Sequence, residues 1–482
     1  MNTLLSQARI NKDKTYDGKF FFAVKTTGIF CRPSCPAPVA KEENVCYFDT
    51  LFAALEQGFR PCLRCRPDMT TEYYNGNPSG SNLVQSALHL MHEGYLNHHS
   101  IAELAHTLSI SERHLRKLFI DNLGSTPAKI ARYNKALFAK KLITYSNHPI
   151  TDIAFASGFS SVRQFNEVFK KTFETTPTAI RQQYPTEKQP TRATALHINY
   201  QKPFDFPLLL SFLKPRAIRG VEVITEGSYS RTFRTENAEG FFTVTDNSRK
   251  SCLEVSIDCN DTRCYMTIYS RVRKMFDIDT DFSTINERFS NDPLLSGGMA
   301  KGHVPRLPVA FDPFEFVIRA ILGQQISVKA ATTLAGRIAQ IANRNTPPEF
   351  PKGLDYFFPH PEELISMDLS SIGVTRTRQE TLKTVAQAIA NGAVRLTRNQ
   401  SPADFHRDFS ALKGIGDWTV SYVSMRGLGM VDSFPYSDLG VIKALTNSEK
   451  TPTKKEILAI AEQWKPYRTY ATLCLWNRGQ EK

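Results

Sequence analysis

The sequence predicts a multidomain chain: a small α/β domain, an all-α doubled helix-turn-helix, then a small β-sheet subdomain and an all-α domain built around a helical hairpin. Three observations carry this. The chain has 482 residues, and at roughly 150 residues per domain that allows about three. Four of its nine cysteines, Cys31, Cys35, Cys62 and Cys65, form two close pairs near the N-terminus. An internal repeat follows them. Ser111, Leu115, Phe119, Thr126 and Pro127 return 50 residues later as Ser161, Phe165, Phe169, Thr176 and Pro177, the mark of one supersecondary unit used twice.

Composition narrows the class. With 41% hydrophobic and 22% charged residues, enough apolar surface is available to offset ordering entropy, and the chain is a folded one. Sixty Lys and Arg against 47 Asp and Glu leave a net charge of +13, which favours a polyanionic partner such as nucleic acid or an anionic membrane face. No apolar run reaches the roughly 18 residues that span a bilayer, and residues 1–14 lack the pattern of an export signal. A cytoplasmic chain with no membrane partner is expected, in which cysteines serve as metal ligands, reactive thiols or core residues and not as structural disulfides.

The first domain is read as 1–68, where short strands and turns surround the cysteines. Three residues separate Cys31 from Cys35, two separate Cys62 from Cys65, and 26 lie between the pairs. Each pair can take two corners of a tetrahedron, so Zn2+ is the natural ion for the four thiolates. Spacing alone fits a purely structural knot. Lys25, Arg32, Arg60, Arg64 and Arg66 crowd the pairs, however, and that setting suits phosphate oxygens and favours a reactive thiolate. Cys46 lies outside both pairs and reads as a core residue.

A Gly, Pro, Asn and Ser-rich linker over 69–81 leads into the second domain, 82–181. Its first unit runs from Ile101, Leu104 and Ala105 through a turn to Leu115, Leu118 and Phe119, with Ser111 placed to cap the second helix. Its second unit runs from Ile150, Ile153 and Ala154 to Phe165 and Phe169, with Gly158 where the turn needs positive φ. Two recognition helices could enter successive major-groove segments. Arg113 and Arg116 in one, and Arg163, Gln164 and Asn166 in the other, face outward as candidate DNA contacts. Glu167 on the same helix is an acid where phosphate is near. A plain bundle with solvated charges is the competing reading, which the doubling weakens.

A polar stretch over 182–194 is read as a second linker. The small sheet is placed over 195–290, with 241–245 and 264–268 among its strands. From 291 to 482 the pattern is helical, and Asp312 before Pro313 and Ser401 before Pro402 each set a capping side chain ahead of a proline at the first helical position. Within this domain LKGIGDWTV (412–420) places Gly414 and Gly416 in a tight turn between helices. Their backbone N–H groups can meet a phosphate, while Ile415 anchors the turn. Asp438 follows in FPYSDLG (434–440). It is either a helix cap for 439–445 or a catalytic carboxylate, and the local sequence leaves both open.

The motifs match known families. FAVKTTGIFCRPSCPAP with GFRPCLRCRPD resembles the zinc domain of Ada-type methylation-response proteins over 19–68. The resemblance implies that Cys31 accepts a methyl group from a DNA methylphosphotriester, and that the loss of one negative charge then strengthens DNA binding. Pro36 and Pro38 depart from the basic residues useful there. Residues 82–181, including Leu142, Gly158-Phe159 and Thr176-Pro177, resemble the AraC-type DNA-binding domain. RAILGQQIS (319–327), the hairpin and FPYSDLG are similar to AlkA-type 3-methyladenine DNA glycosylase II, a helix-hairpin-helix glycosylase domain, over about 195–476. This implies Asp438 as the catalytic carboxylate, Trp418, Tyr422 and Trp476 as the base pocket, and Gln325 as the wedge into the duplex. Trp418 stands where strand-cutting relatives carry lysine, so a monofunctional enzyme is implied. Lys413 replaces a usual proline.

Together the resemblances imply a fusion of an Ada-type activator with a glycosylase. Its partners are double-stranded DNA (lesion and promoter) and RNA polymerase, its only cofactor is one zinc, and a monomer is expected. The late Cys474, in an apolar run, reads as core and not as a second methyl acceptor. The rival is a zinc-containing regulator whose C-terminal half only binds DNA.

Overall fold

The computed structural model describes residues 2–62, 64–65, 67, 82–97, 99–183, 194–235, 238–397, 400–446 and 451–478. Arg66, the stretch 69–81 and residues 184–193 lie outside them. The chain divides into two compact units, 1–200 with 247–270, and 201–246 with 271–482, so the region read as one small-sheet subdomain contributes to both. No helix among the described residues is long and apolar enough to cross a membrane.

The first unit begins with α1 (Asn2–Ile10), β1 (Phe21–Val24), β2 (Ile29–Cys31), β3 (Val45–Phe48), α2 (Leu51–Glu56) and β4 (Arg60–Pro61). The sheet order is β3-β1-β2-β4, and β4 runs parallel to β2 with Phe30 opposite Pro61. Phe21 and Phe30 meet edge to face at 6.0 Å in its core. Next come α3 (Asn82–His92), α4 (Ile101–Thr107), α5 (Glu112–Leu123), α6 (Pro127–Tyr145), α7 (Ile150–Ala156), α8 (Val162–Phe173) and α9 (Pro177–Gln183). Helix α9 thus takes in Gln182 and Gln183, which by composition belong to the second linker.

The doubling is visible in the caps. Ser111 Oγ accepts from His114 N and Ser161 Oγ from Gln164 N, both at 3.2 Å, and both repeats then continue from a capping threonine into a helix opened by proline. Helices α4 and α7 start 49 residues apart, whereas α5 and α8 start 50 apart. The second turn therefore holds one extra residue. Its Gly158 has φ +79°, while Ser109 takes the left-handed position of the first turn at +57°.

The chain then makes β5 (Thr194–Asn199), α10 (Phe206–Leu213), β6 (Glu222–Ile224), β7 (Ser228–Arg234), β8 (Glu239–Asn247), β9 (Cys252–Cys259), α11 (Tyr265–Met275) and α12 (Ser283–Ser290). In the first unit β5 pairs antiparallel with β9. In the second, β6 and β7, then β7 and β8, pair antiparallel. The expected strand at 241–245 lies in β8, but 264–268 is helical and the strand reading fails there. Tyr265, Ile268, Tyr269, Val272, Met275 and Phe276 are buried at steps of three and four, a helical period that overrides the β-branched and aromatic content.

Beyond this lie α13 (Pro313–Leu322), α14 (Val328–Ala342), α15 (Pro361–Ser366), α16 (Arg376–Ala390), α17 (Pro402–Ser410), α18 (Asp417–Tyr422), α19 (Leu439–Leu445), α20 (Lys454–Glu462) and α21 (Arg468–Arg478). Asp312 and Ser401 cap α13 and α17 ahead of their prolines, as the sequence indicated. Two apolar clusters form in this unit. One gathers Phe316, Ile321, Leu382, Phe409 and Val420; the other gathers Phe434, Val441, Trp464, Tyr470 and Cys474. Cys474 is fully buried in the second, and none of the nine cysteines is joined in a disulfide.

Candidate functional site

The parallel pairing of β2 with β4 sets the two cysteine pairs side by side. Cys31 ends β2, Cys62 follows β4, and Cys62 N donates to Phe30 O at 2.9 Å. The sulfurs of Cys31, Cys35, Cys62 and Cys65 all lie within 4.8 Å of one another and all four residues are buried. Zn–S bonds of about 2.3 Å at tetrahedral angles need sulfurs about 3.8 Å apart, so the donors fit a zinc ion. Hydrogen bonding from Cys35 and the other two sulfurs, together with burial, pushes the Cys31 thiol far up; a dication is what allows four sulfurs at this range to be thiolates together.

The basic surround is sorted by the fold. Arg32 pairs with Asp17 at 3.4 Å and Arg60 with Glu174 at 3.0 Å, while Arg64 is exposed. Lys25 sits at the far end of the β1–β2 hairpin, where it donates to Glu43 O. Cys46, on β3, is half-buried and not a full core residue. On the helical repeat, Arg113 and Arg116 of α5 and Arg163, Gln164 and Asn166 of α8 are all exposed, as is Glu167. The opposite faces, Leu115 with Phe119 and Phe165 with Phe169, are fully buried.

In the second unit Asp438 proves to be a cap and more than a cap. Its Oδ1 accepts from Gly440 N at 2.8 Å, Val441 N at 3.3 Å and Trp476 Nε1 at 2.9 Å, and its Oδ2 accepts from Trp418 Nε1 at 2.9 Å. Trp418 and Tyr422, one turn apart on α18, stack at 5.0 Å and 20°, and Tyr422 meets Trp476 of α21 at 6.3 Å and 64°. The three aromatics named from the sequence therefore form one cluster, whose two indoles meet the carboxylate. Burial alone would raise the Tyr422 phenol, but Arg426 and Arg216 outweigh it and hold it below its ordinary range.

The hairpin joins α17 to α18. Gly414 has φ +89°, and a Cβ there would stand 2.5 Å from Thr381 Oγ1 of α16. Gly416 is extended (φ −101°), with open space where its Cβ would be, so it keeps the surface clear and does not serve a left-handed turn. Ile415 is buried as expected. Gln325, between α13 and α14, is exposed and held at φ +62°, a conformation that non-glycine residues rarely adopt.

Three supporting residues escaped the sequence reading. Gln324 Nε2 donates to Gly414 O and to Thr419 Oγ1, both at 3.0 Å, fastening the α13–α14 turn to the hairpin. Gly440 is required because a Cβ would meet Trp476 Cδ1 at 2.8 Å. Arg426, buried under Tyr422, donates to its hydroxyl at 3.4 Å. Gln324 and Gly440 left a trace, inside RAILGQQIS and FPYSDLG, and Arg426 left none.

This arrangement defines a base-excision helix-hairpin-helix unit joined to a zinc-thiolate site and a doubled helix-turn-helix. Four families match in order: the metal binding domain of Ada over 5–68, a helix-turn-helix domain over 104–183, the AlkA N-terminal domain over 195–312, and the HhH-GPD superfamily of base excision DNA repair proteins over 318–466. The chain is 35% identical to a probable bifunctional transcriptional activator/DNA repair enzyme AlkA of Mycobacterium tuberculosis, over 97% of this chain and 94% of that one. It is 30% identical to DNA-3-methyladenine glycosylase 2 of Escherichia coli, over 58% of this chain and 95% of the relative. The 3-methyladenine DNA-glycosylase from Archaeoglobus fulgidus shares the fold, with a TM-score of 0.50 at 19% identity, over 59% of this chain and 98% of that one. The chain belongs to the family of bifunctional transcriptional activator/DNA repair enzymes, and its cofactor is zinc, held by four cysteines.

Proposed function

We propose that the chain removes alkyl damage from DNA by two chemistries and signals it to transcription, with working parts at 1–68, 82–181, 195–290 and 291–482. In the first, the Cys31 sulfur attacks the methyl carbon of a methylphosphotriester. An S–C bond forms, the C–O bond breaks, and a phosphodiester leaves. Zinc supplies, when bound, the charge that keeps the sulfurs deprotonated at neutral pH. The four sulfurs then carry one negative charge fewer, repulsion from DNA phosphate falls, and Arg113, Arg116, Arg163, Gln164 and Asn166 engage promoter DNA more tightly. RNA polymerase is the protein partner, the chain acts as a monomer, and its compartment is the cytoplasm.

In the second chemistry the lesion base leaves the stack and lies against Trp418, Tyr422 and Trp476, whose π-faces favour an electron-poor methylated base. A base alkylated on a ring nitrogen is already a good leaving group. The Asp438 carboxylate stabilises positive charge on the sugar as the glycosidic bond breaks, and water completes the hydrolysis. Gly414 and Gly416 present hairpin amides to a phosphate, and Gln325 enters the gap. With tryptophan at 418 there is no lysine for a Schiff base at that position, so the strand is left abasic and uncut.

The observation that carries this reading is the fastening of both Asp438 oxygens by the indoles that line the pocket. Incubation with methylated DNA tests both halves at once: chromatography should find free 3-methyladenine, and peptide mass analysis one added methyl on Cys31. A methyl on Cys35, Cys62 or Cys65, or on none, overturns the first half; borohydride trapping of a covalent DNA adduct overturns the second.

A further inference from the structure

The β5–β9 ladder carries three donors that neither chemistry uses. His197 of β5 stands opposite Glu254 of β9, and Cys252 precedes Glu254 by two residues, so the strand period sets all three on one face. A nitrogen of the imidazole, the Cys252 sulfur and a Glu254 oxygen lie within 4.8 Å of one another, the same envelope that encloses the four N-terminal cysteines. His197 Nε2 is 3.7 Å from Glu254 Oε1. Metal bonds of about 2.0–2.2 Å at a tetrahedral angle bring such a pair to about 3.4 Å.

The groups around these donors fix their orientation. The Tyr145 ring stacks on His197 at 4.2 Å and 28°, and Asn247 Nδ2 donates to Glu254 Oε1 at 2.8 Å. Partners of this kind orient ligands in metal sites. One thiolate and one carboxylate also balance a dication, which lowers the cost of placing charge beside the buried Cys252. Mixed nitrogen, sulfur and oxygen donors suit zinc and not the harder magnesium or calcium.

We propose that His197, Cys252 and Glu254 bind a second divalent cation of the zinc class, with water in the fourth position, and that it pins β5 to β9. The test is metal analysis of the purified full chain. Two zinc ions per chain are expected, falling to one in His197→Ala and Cys252→Ser. Asn247→Ala should weaken the second ion about ten- to hundredfold. Glu254→Gln retains the oxygen that accepts from Asn247 and so guards against misfolding; it too should lose the second ion while the first is kept. Cobalt loading gives an independent readout, since the second equivalent should show the charge-transfer band of a single thiolate and lose it in Cys252→Ser. One zinc per chain in the wild type overturns the proposal, as does a second zinc that persists in all three ligand variants.

Discussion

Replacing Asp438 by asparagine separates its two roles. In the wild type Oδ1 caps α19 and meets Trp476, while Oδ2 meets Trp418. The asparagine carbonyl can keep the whole Oδ1 set, and asparagine is as good a helix cap as aspartate. Its Nδ2 then faces Trp418 Nε1, donor against donor. The stability loss is thus one charge-assisted hydrogen bond, about 1.5–3 kcal/mol if fully buried and toward the lower end at this half-exposed position. The catalytic loss is that of a preorganised charge at the reacting centre, about 2.7–4 kcal/mol or roughly a hundred- to thousandfold in rate. Single-turnover release of 3-methyladenine from methylated duplex, with enzyme in excess, reads the rate. Tryptophan fluorescence during urea unfolding reads stability in the same unit, because the chain's three tryptophans, Trp418, Trp464 and Trp476, all lie in it. A variant rate within threefold of wild type would refute the carboxylate's role, leaving Asp438 a cap.

Three further outcomes follow from the geometry. Gly440→Ala should push Trp476 off Asp438, slow base release roughly ten- to hundredfold and leave methyl acceptance at Cys31 unchanged; wild-type release would show that the Trp476 bond is idle. Gly158→Ala places a Cβ 2.0 Å from Asn97 Oδ1 at φ +79°, and the left-handed backbone alone costs about 1–2 kcal/mol. Promoter affinity should drop while base release is unaffected, as gel shift and release assays on one preparation can show. Burial pushes the Asp277 carboxyl up to about 6, against about 3.9 unfolded. Folding then takes up a proton between these values, so this group's stabilisation is complete below about pH 4 and is lost as pH rises through 6, a span of about 3 kcal/mol at 1.36 per unit. Urea unfolding followed by tryptophan fluorescence at pH 4.5 and 7 should show the slope, and Asp277→Asn should flatten it; an unchanged slope in the variant rules out this carboxyl as its source.

What the sequence disclosed was whatever is specified by near neighbours along the chain. The cysteine pairs, the capping Ser111 and Ser161, and the cap-proline starts at Asp312 and Ser401 each depend on residues only a few positions away. The β-branched and aromatic content of 264–268 points to a strand because five residues are too few to show the helical burial that continues to Phe276. The repeat is plain after its turns, where the spacing is 50, whereas the extra residue of the second turn shows only once the 49-residue spacing of α4 and α7 is known. Gly440 and Gln324 stand inside quoted motifs, but their roles are not legible there for a different reason. Their constraints come from Trp476 and from the hairpin at Gly414, and such requirements exist only once distant helices are packed.

The placement of the zinc site bears on how a charge change there could reach the helical repeat. Within the first unit, Thr50 at the start of α2 donates to Leu123 O at 3.1 Å, Glu56 at its end accepts from Lys129 Nζ at 2.7 Å, and Gly124 packs against Ala53. The junction of α5 and α6 is thereby fastened to the helix beside the cysteine sheet. Helix α8 of the second repeat has its own contact: Arg60, two residues before Cys62, pairs with Glu174 at its end. Glu174 takes φ +54° at the position where the first repeat has Gly124, so a strained backbone is tolerated where the salt bridge forms. Both α5 and α8 therefore have polar contacts with the domain that carries Cys31. Under the proposed methyl transfer, the lost charge sits on the same body that presents Arg113 and Arg163, and it can act on DNA affinity through the field alone, without an induced rearrangement.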